Sequence, residues 1–113
     1  MVRLILPKKV IIGPFDYEIQ CNEVARASLG SDFGETDTEM CQIRINPERP
    51  DQIQREVLLH ETLHACMNVA CLDLELGEEL EEKVVRRLTP ILMTVMLRNP
   101  SWVKALVGGK NEG

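Results

Sequence analysis

The sequence predicts a single α+β domain in which a small antiparallel or mixed sheet packs on a long helix and a second, proline-kinked helix. Three observations support this fold class. Short segments that alternate apolar and polar residues fill the first half of the chain. Residues 52–71 contain neither proline nor glycine, which favours one long helix. A second long helical pattern over residues 78–97 contains Pro90.

The composition is that of an ordinary globular protein, and its charge restricts the class of partner. Of 113 residues, 44% are hydrophobic and 27% are charged, which fits one domain over residues 1–107 and a flexible tail over residues 108–113. The formal net charge of −5 argues against a nucleic-acid partner, because phosphate contacts need a concentrated basic surface. No run approaches the roughly 18 apolar residues of a membrane-spanning helix, so we expect no membrane association.

The cysteines and the first residues of the chain indicate a cytoplasmic protein. No C-x-x-C pair occurs, and the apolar stretch Met1–Gly13 is interrupted by Lys8 and Lys9 with no cleavage site after it. We therefore expect reduced cysteines in the cytoplasm. Each cysteine is expected to be a small buried hydrophobic residue. The four are Cys21, Cys41, Cys66 and Cys71.

Two short strands are predicted near the start of the chain. Lys9–Ile12 and Tyr17–Cys21 alternate in polarity, and Gly13–Asp16 between them has the composition of a turn. This order predicts a β-hairpin. The pattern of Ala25–Leu29 fits either a further short strand or a helical turn.

A loop and another strand precede the first long helix. Gly30–Asp37 is rich in Gly, Ser, Asp and Thr, which is typical of a loop or a hairpin connection. In Met40–Ile45 the apolar residues Cys41, Ile43 and Ile45 alternate with polar ones. This alternation predicts a half-buried strand and is compatible with the edge of a sheet.

The first long helix is predicted from Gln52 to about Cys71. Asp51 precedes it and Gln54 follows three residues later, which indicates a capping box. The second half of the helix is apolar nearly all round, so it is expected to be buried on most sides. Leu72–Gly77 is expected to be a short connection.

The second long helix is predicted over Glu78–Leu97. Its first turns are acidic and its basic residues come later, which suits the helix dipole. Pro90 should kink it near Arg86, because proline removes a backbone hydrogen bond and clashes with the preceding turn. A last short helix is predicted over Ser101–Val107, with Trp102 packing inward.

The first long helix carries the motif His60-Glu61-Thr62-Leu63-His64. Residues four apart lie on one face of a helix, so His60 and His64 can bind one tetrahedral zinc ion. Glu61 is offset by about 100° from His60, beside the metal, where a carboxylate can act as general base on a water. The alternative is two histidines satisfied by hydrogen bonds inside a core helix.

A third zinc ligand has to come from another part of the chain. Catalytic zinc usually has three protein ligands and one open position, and the chain contains only two histidines. The acidic stretch Glu78–Glu82 opens the second helix, and a carboxylate there can reach the metal if the two helices pack antiparallel. The alternative for this stretch is a solvated charge cluster. Cys66 and Cys71 are fallback ligands.

The segment Gln54–Ala65 resembles the active-site helix of the ImmA/IrrE-like metallopeptidases, especially the compact members carried by phages and prophages. The similarity extends upstream to Gly34-Glu35-Thr36 and Cys41–Asn46 and downstream to Glu82–Leu88, about residues 9–98 in all. It implies a zincin-like fold and a zinc-dependent peptidase that hydrolyses a peptide bond in a peptide or protein substrate.

The resemblance also implies roles for individual residues. His60 and His64 become zinc ligands, and Glu61 becomes the general base. The family's glutamate ligand is followed by small or apolar residues three, six and seven places on. Glu82 matches this pattern and is chosen as the third ligand, while Glu81 matches less well and is the second choice.

The resemblance further suggests where a substrate would lie. In zincins the strand before the active-site helix commonly lines the cleft and pairs with the peptide, which would give Cys41–Asn46 a binding role. The alternative is an ordinary strand of the sheet. Gln42, Arg44 and Tyr17 are the substrate-lining candidates, and the last two are also candidates for stabilising an oxyanion. The alternative function is a catalytically weak or inactive zincin-fold phage or prophage protein that binds a host or repressor protein.

Overall fold

The computed structural model describes residues 4–108, which form a compact α+β fold with a small mixed sheet. The predicted fold class is confirmed at this level. In the described part of the chain there are four strands and five helices. The strands are β1 (Lys9–Ile12), β2 (Phe15–Gln20), β3 (Gly34–Asp37) and β4 (Gln42–Ile45). The helices are α1 (Glu23–Leu29), α2 (Asp51–Val69), α3 (Leu72–Leu76), α4 (Glu78–Arg98) and α5 (Pro100–Val107).

The first two strands form the predicted hairpin. β1 and β2 pair antiparallel, with Ile12 opposite Phe15, so the turn is shorter than expected and β2 begins two residues earlier. Gly13 in this turn has a φ of +58°, a conformation that glycine adopts without steric cost. The segment Ala25–Leu29, for which the sequence allowed either a strand or a helical turn, lies in helix α1. The Asn22 side chain caps this helix by accepting a hydrogen bond of 3.0 Å from the backbone N–H of Ala25.

The rest of the sheet differs from the prediction in two respects. The sheet order is β1-β2-β4-β3, with β4 parallel to β2 and antiparallel to β3. β4 is therefore internal and not an edge strand, which explains why Ile43 and Ile45 have no exposed surface. The prediction of a loop or hairpin connection over Gly30–Asp37 was wrong for its second half, because Gly34–Asp37 forms β3. Its polar residues have weak strand propensity, and pairing with β4 supplies the backbone hydrogen bonds that stabilise it.

The core lies between one face of the sheet and α2. It is aliphatic apart from one aromatic residue, as the low aromatic content of 4% requires. The small side chain of Ala65 on α2 is fully buried and allows the helix to approach the sheet closely. The buried cluster consists of Ile12, Tyr17, Ile19, Ile43, Ile45, Val57 and Ala65.

The start of α2 is stabilised differently from the predicted capping box. Pro50 occupies the cap position and no side chain caps the helix. The Gln54 side-chain amide instead donates to the carbonyl oxygens of Pro47 and Arg49, at 3.2 and 2.7 Å. A carboxylate oxygen of Asp51 accepts a hydrogen bond from the backbone of Leu4. The polar residues expected at the cap thus tie the preceding loop and the N-terminal segment to the helix.

The C-terminal half is helical throughout. The predicted connection after α2 forms the short helix α3, and α4 continues through Pro90 to Arg98. The prediction that Trp102 packs inward was wrong, because this residue of α5 is 45% exposed. Residues 109–113 of the predicted tail lie outside the described part of the chain. Within residues 4–108, no helix combines the length and the apolar character that crossing a membrane requires.

All four cysteines are free thiols. Cys21 and Cys41 are partly buried, whereas Cys66 and Cys71 are exposed, so the expectation of burial was wrong for the second pair. The sheet and α4 cover α2 on two sides, and neither of them buries Cys66.

Candidate metal centre

Helix α2 presents both histidines of the motif to one side, as the four-residue spacing requires. The imidazole rings of His60 and His64 have centroids 5.0 Å apart and meet edge to face at 62°. Their side chains are 23% and 19% exposed, respectively. Two half-buried rings on one helix face therefore direct nitrogen atoms into the space between α2 and α4.

Helix α4 supplies the third donor from the first turns after its start. Glu82 Oε1 lies 3.4 Å from His60 Nε2 and 2.7 Å from His64 Nε2. Donor atoms of these three residues all lie within 4.8 Å of one another. Tetrahedral zinc has bonds of about 2.0–2.2 Å, which separates neighbouring donors by roughly 3.4 Å. The two imidazoles and the carboxylate thus fit a zinc ion after small side-chain movements.

The neighbouring carboxylate, Glu81, lies on another side of His64. Its Oε2 atom is 2.5 Å from His64 Nδ1, the ring nitrogen that points away from Glu82. Glu81 is absent from the described group of three donors that a single ion could join. Glu82 is further held by Arg86, whose guanidinium donates to Glu82 Oε2 at 3.0 Å.

The pKa values of two groups reflect this arrangement. Burial works to lower the pKa of His64, but hydrogen bonds to Glu81 and Glu82 outweigh it and raise the pKa above the usual value. Burial works to raise the pKa of Glu82, but the hydrogen bond to His64 and the nearby positive charges lower it. Glu82 therefore remains ionised, as a metal ligand must be.

Glu61 is buried beside the histidines and is held by a strand. Its side chain points towards β3, where the Thr36 hydroxyl donates to Glu61 Oε1 at 2.6 Å. The residue is only 8% exposed. Burial raises the pKa of Glu61, and the hydrogen bond from Thr36 partly offsets this effect. A carboxyl group with a raised pKa suits a general base that has to take and release a proton near neutral pH.

Close approach of β3 to α2 requires glycine at position 34. A Cβ atom on Gly34 would lie 2.4 Å from Val57 Cγ1 and 3.2 Å from Glu61 Cγ. Any larger side chain would therefore push the strand away from the helix or displace Val57. Gly34 thus sets the distance at which Thr36 can reach the Glu61 carboxylate.

A cavity of about 790 Å³ contains these groups. One face of α2 forms its floor, and β3 and α4 form its sides. Towards the start of α2 its lining combines four apolar residues with two carboxylates: Phe33, Ile53, Val57, Pro90, Asp32 and Glu56. Towards the end of α2 it is polar, where the Asn68 amide donates to the Asp73 carboxylate at 2.8 Å.

The three predicted substrate-lining residues lie elsewhere. None of Tyr17, Gln42 and Arg44 is among the described residues that line the cavity. Tyr17 is 1% exposed in the core. Arg44 lies on β4 and forms ion pairs with Glu35 and Asp37 of β3. Because β3 covers the edge of β4, the cavity is bordered by residues of β3 and not by the three predicted residues.

Sequence reasoning missed the contribution of β3 to the site. Gly34 and Thr36 both line the cavity, but their segment has the composition of a loop. The alternation that brings both residues to one face of the strand is short and polar throughout. The signal in the sequence that could have indicated this role is the inclusion of Gly34-Glu35-Thr36 in the family resemblance.

Replacing Thr36 by valine should shift the pH dependence of any hydrolysis by this site. The hydrogen bond from Thr36 lowers the pKa of Glu61, so its removal raises that pKa and keeps Glu61 protonated up to a higher pH. We expect the acid limb of the kcat/KM profile to move to higher pH. A hydrogen bond to a charged group contributes about 1.5–3 kcal/mol, so kcat/KM at neutral pH should fall by about tenfold or more. Thr36→Ser keeps the hydroxyl group and is the control. An unchanged acid limb in Thr36→Val would contradict the role of Thr36.

Comparison with known proteins found no match to a family model, to a curated protein or to a solved structure.

Proposed function

We propose that this chain is a zinc-dependent metallopeptidase with a compact zincin-like fold. The observation that carries the proposal is the convergence of His60, His64 and Glu82 from two helices, within 4.8 Å, beside the buried carboxylate of Glu61. A purely structural zinc site is usually closed by four protein ligands. Three donors and a cavity leave room for a water and a substrate.

The chemistry divides between the metal and the side chains. A bound zinc ion would polarise a substrate carbonyl and lower the pKa of a water. Glu61 would accept the proton of that water and pass it to the amine that leaves when the peptide bond breaks. Thr36 would keep the Glu61 carboxylate directed at the water.

A peptide substrate would bind along β3. β3 is the terminal strand in the sheet order, so one of its sides is available to pair with an extended peptide. Gly34 and Thr36 of this strand line the cavity, which would bring the scissile bond of a paired peptide near Glu61. This assignment transfers to β3 the substrate-binding role that the resemblance gave to Cys41–Asn46.

The second candidate is a zincin-fold phage or prophage protein that binds a host or repressor protein without cleaving it. The position of Tyr17 and Arg44 favours it, since these candidates for oxyanion stabilisation lie away from the cavity. Its distinguishing property would be a filled zinc site without hydrolysis. The presence of Glu61 beside the two histidines favours the peptidase, because binding alone has no need for a general base.

Metal analysis combined with a peptide-mixture assay tests the proposal. We expect about one equivalent of zinc per chain and cleavage products detectable by mass spectrometry that are absent in the presence of a chelator. About one equivalent of zinc with no cleavage in a diverse peptide mixture would favour the binding protein. Absence of zinc from protein purified with zinc supplied would contradict both candidates.

A further inference from the structure

His64 is contacted at both ring nitrogens, by two carboxylates that follow each other in the sequence. Nε2 faces Glu82 at 2.7 Å, and Nδ1 faces Glu81 at 2.5 Å. The Glu81 side chain is 12% exposed, compared with 36% for Glu82. The acidic start of α4 therefore holds two carboxylates at different distances from the candidate metal position, and the more buried one lies behind the imidazole.

We propose that Glu81 is a positioning residue that holds His64 in the ring orientation and tautomer needed to bind the metal through Nε2. This inference rests on the zinc site of the proposed function and adds a residue to it. A neutral imidazole that offers Nε2 to a metal carries its proton on Nδ1. Glu81 accepts a hydrogen bond from that nitrogen and thereby selects this tautomer.

The arrangement separates the roles of the two glutamates. Glu82 shares with His60 and His64 the space in which the donor atoms converge, whereas Glu81 reaches only the far side of one ring. A carboxylate behind a ligating histidine makes the imidazole a stronger donor and restricts its rotation. Glu81 thus acts on the metal only through His64, and the two adjacent glutamates are not interchangeable.

Zinc affinity, measured by competition with a chromophoric chelator, tests this role. Replacing a partner of this kind typically lowers metal affinity by about 10- to 100-fold, and we expect this loss in Glu81→Ala. Glu81→Gln should lose less, because its amide oxygen still accepts a hydrogen bond from Nδ1. Glu82→Ala should lose more than either variant, since it removes a ligand. Glu79→Gln changes an exposed glutamate of the same helix and should bind zinc as the unmodified protein does.

A spectroscopic measurement separates positioning from a general loss of structure. In the zinc-loaded protein, the Nδ1 proton of His64 should give a downfield NMR resonance that exchanges slowly with water. Glu81→Ala should lose this resonance while resonances of the sheet stay in place. Glu81→Gln preserves the side-chain volume, so it remains informative if Glu81→Ala fails to fold.

The outcomes distinguish this inference from the proposed function. Zinc binding by the unmodified protein with unchanged affinity in Glu81→Ala would overturn the role of Glu81 alone. A greater loss in Glu81→Ala than in Glu82→Ala would also overturn it and would make Glu81 the ligand. Absence of zinc from the unmodified protein would overturn the metal site itself.

Discussion

Glu61→Gln is expected to lower kcat/KM for peptide hydrolysis by about 100- to 10,000-fold, the usual contribution of a general base. Glutamine has the same shape and can still accept the hydrogen bond from Thr36, so the cavity should keep its form. It cannot take a proton from water. Zinc content should stay at the level of the unmodified protein, because Glu61 is not among the three converging donors.

Glu61→Gln should leave the stability of the folded protein unchanged or raise it, although it lowers kcat/KM. Burial raises the pKa of Glu61, so its ionised form is disfavoured in the folded protein and weakens folding at neutral pH. A neutral glutamine removes this cost, and the metal-free variant should melt at the same temperature or higher. Calorimetry of the metal-free protein measures the effect on stability, and steady-state kinetics of the zinc-loaded protein measures the effect on hydrolysis. Glu79→Gln is the control for the loss of a carboxylate.

Two results would argue against Glu61 as the base. Hydrolysis by Glu61→Gln at the unmodified rate would show that another group activates the water. Loss of activity accompanied by loss of zinc would show that the substitution disturbs the metal site rather than the chemistry.

Zinc is expected to raise the melting temperature by roughly 10 °C when its concentration is about 100-fold above the dissociation constant. A ligand that binds only the folded state then contributes about 2.7 kcal/mol, and a domain of this size converts that into a shift of this order. The ion would connect α2 to α4 through His60, His64 and Glu82. Thermal unfolding with added zinc and with a chelator measures the shift.

Two variants identify the origin of this stabilisation. His60→Ala removes one ligand and should abolish most of the shift. Cys66 and Cys71 are exposed thiols that can also bind zinc, so the double variant Cys66→Ser/Cys71→Ser should retain the shift. Equal melting temperatures with zinc and with chelator would count against a zinc site. A shift that survives in His60→Ala and disappears in the cysteine variant would assign it to the thiols.

The stabilisation by zinc should also depend on pH. The pKa of His64 is raised in the folded, metal-free protein. Its protonated form therefore stabilises the fold below the usual histidine pKa, and this contribution is lost as the pH rises through the raised value. Zinc replaces that proton, so the difference in melting temperature between zinc-bound and metal-free protein should grow from acidic to mildly alkaline pH.

Local periodicity alone was sufficient to predict α2 and the relative positions of His60, Glu61 and His64. Four residues make about one helical turn, so the two imidazoles share a face whatever surrounds the helix. The hairpin of β1 and β2 was predictable for a similar reason, since a short turn determines which residues pair. These features depend on neighbours in the sequence. The structure has α2 and the hairpin, although the hairpin turn is shorter than predicted and β2 begins at Phe15.

Other features depend on contacts between distant segments, and the tertiary structure decided them. Gly34–Asp37 has weak strand propensity and becomes β3 only through pairing with β4. That pairing covers the edge on which Arg44 was expected to meet a substrate. Glu81 and Glu82 are adjacent and differ by about 100° around α4, so the packing of α4 against α2 decides which carboxylate joins the two imidazoles. The sequence by itself therefore determined the positions of His60, Glu61 and His64 on one helix. Only the packing of helix and strand around them assigned different positions to Glu82, Glu81 and Thr36.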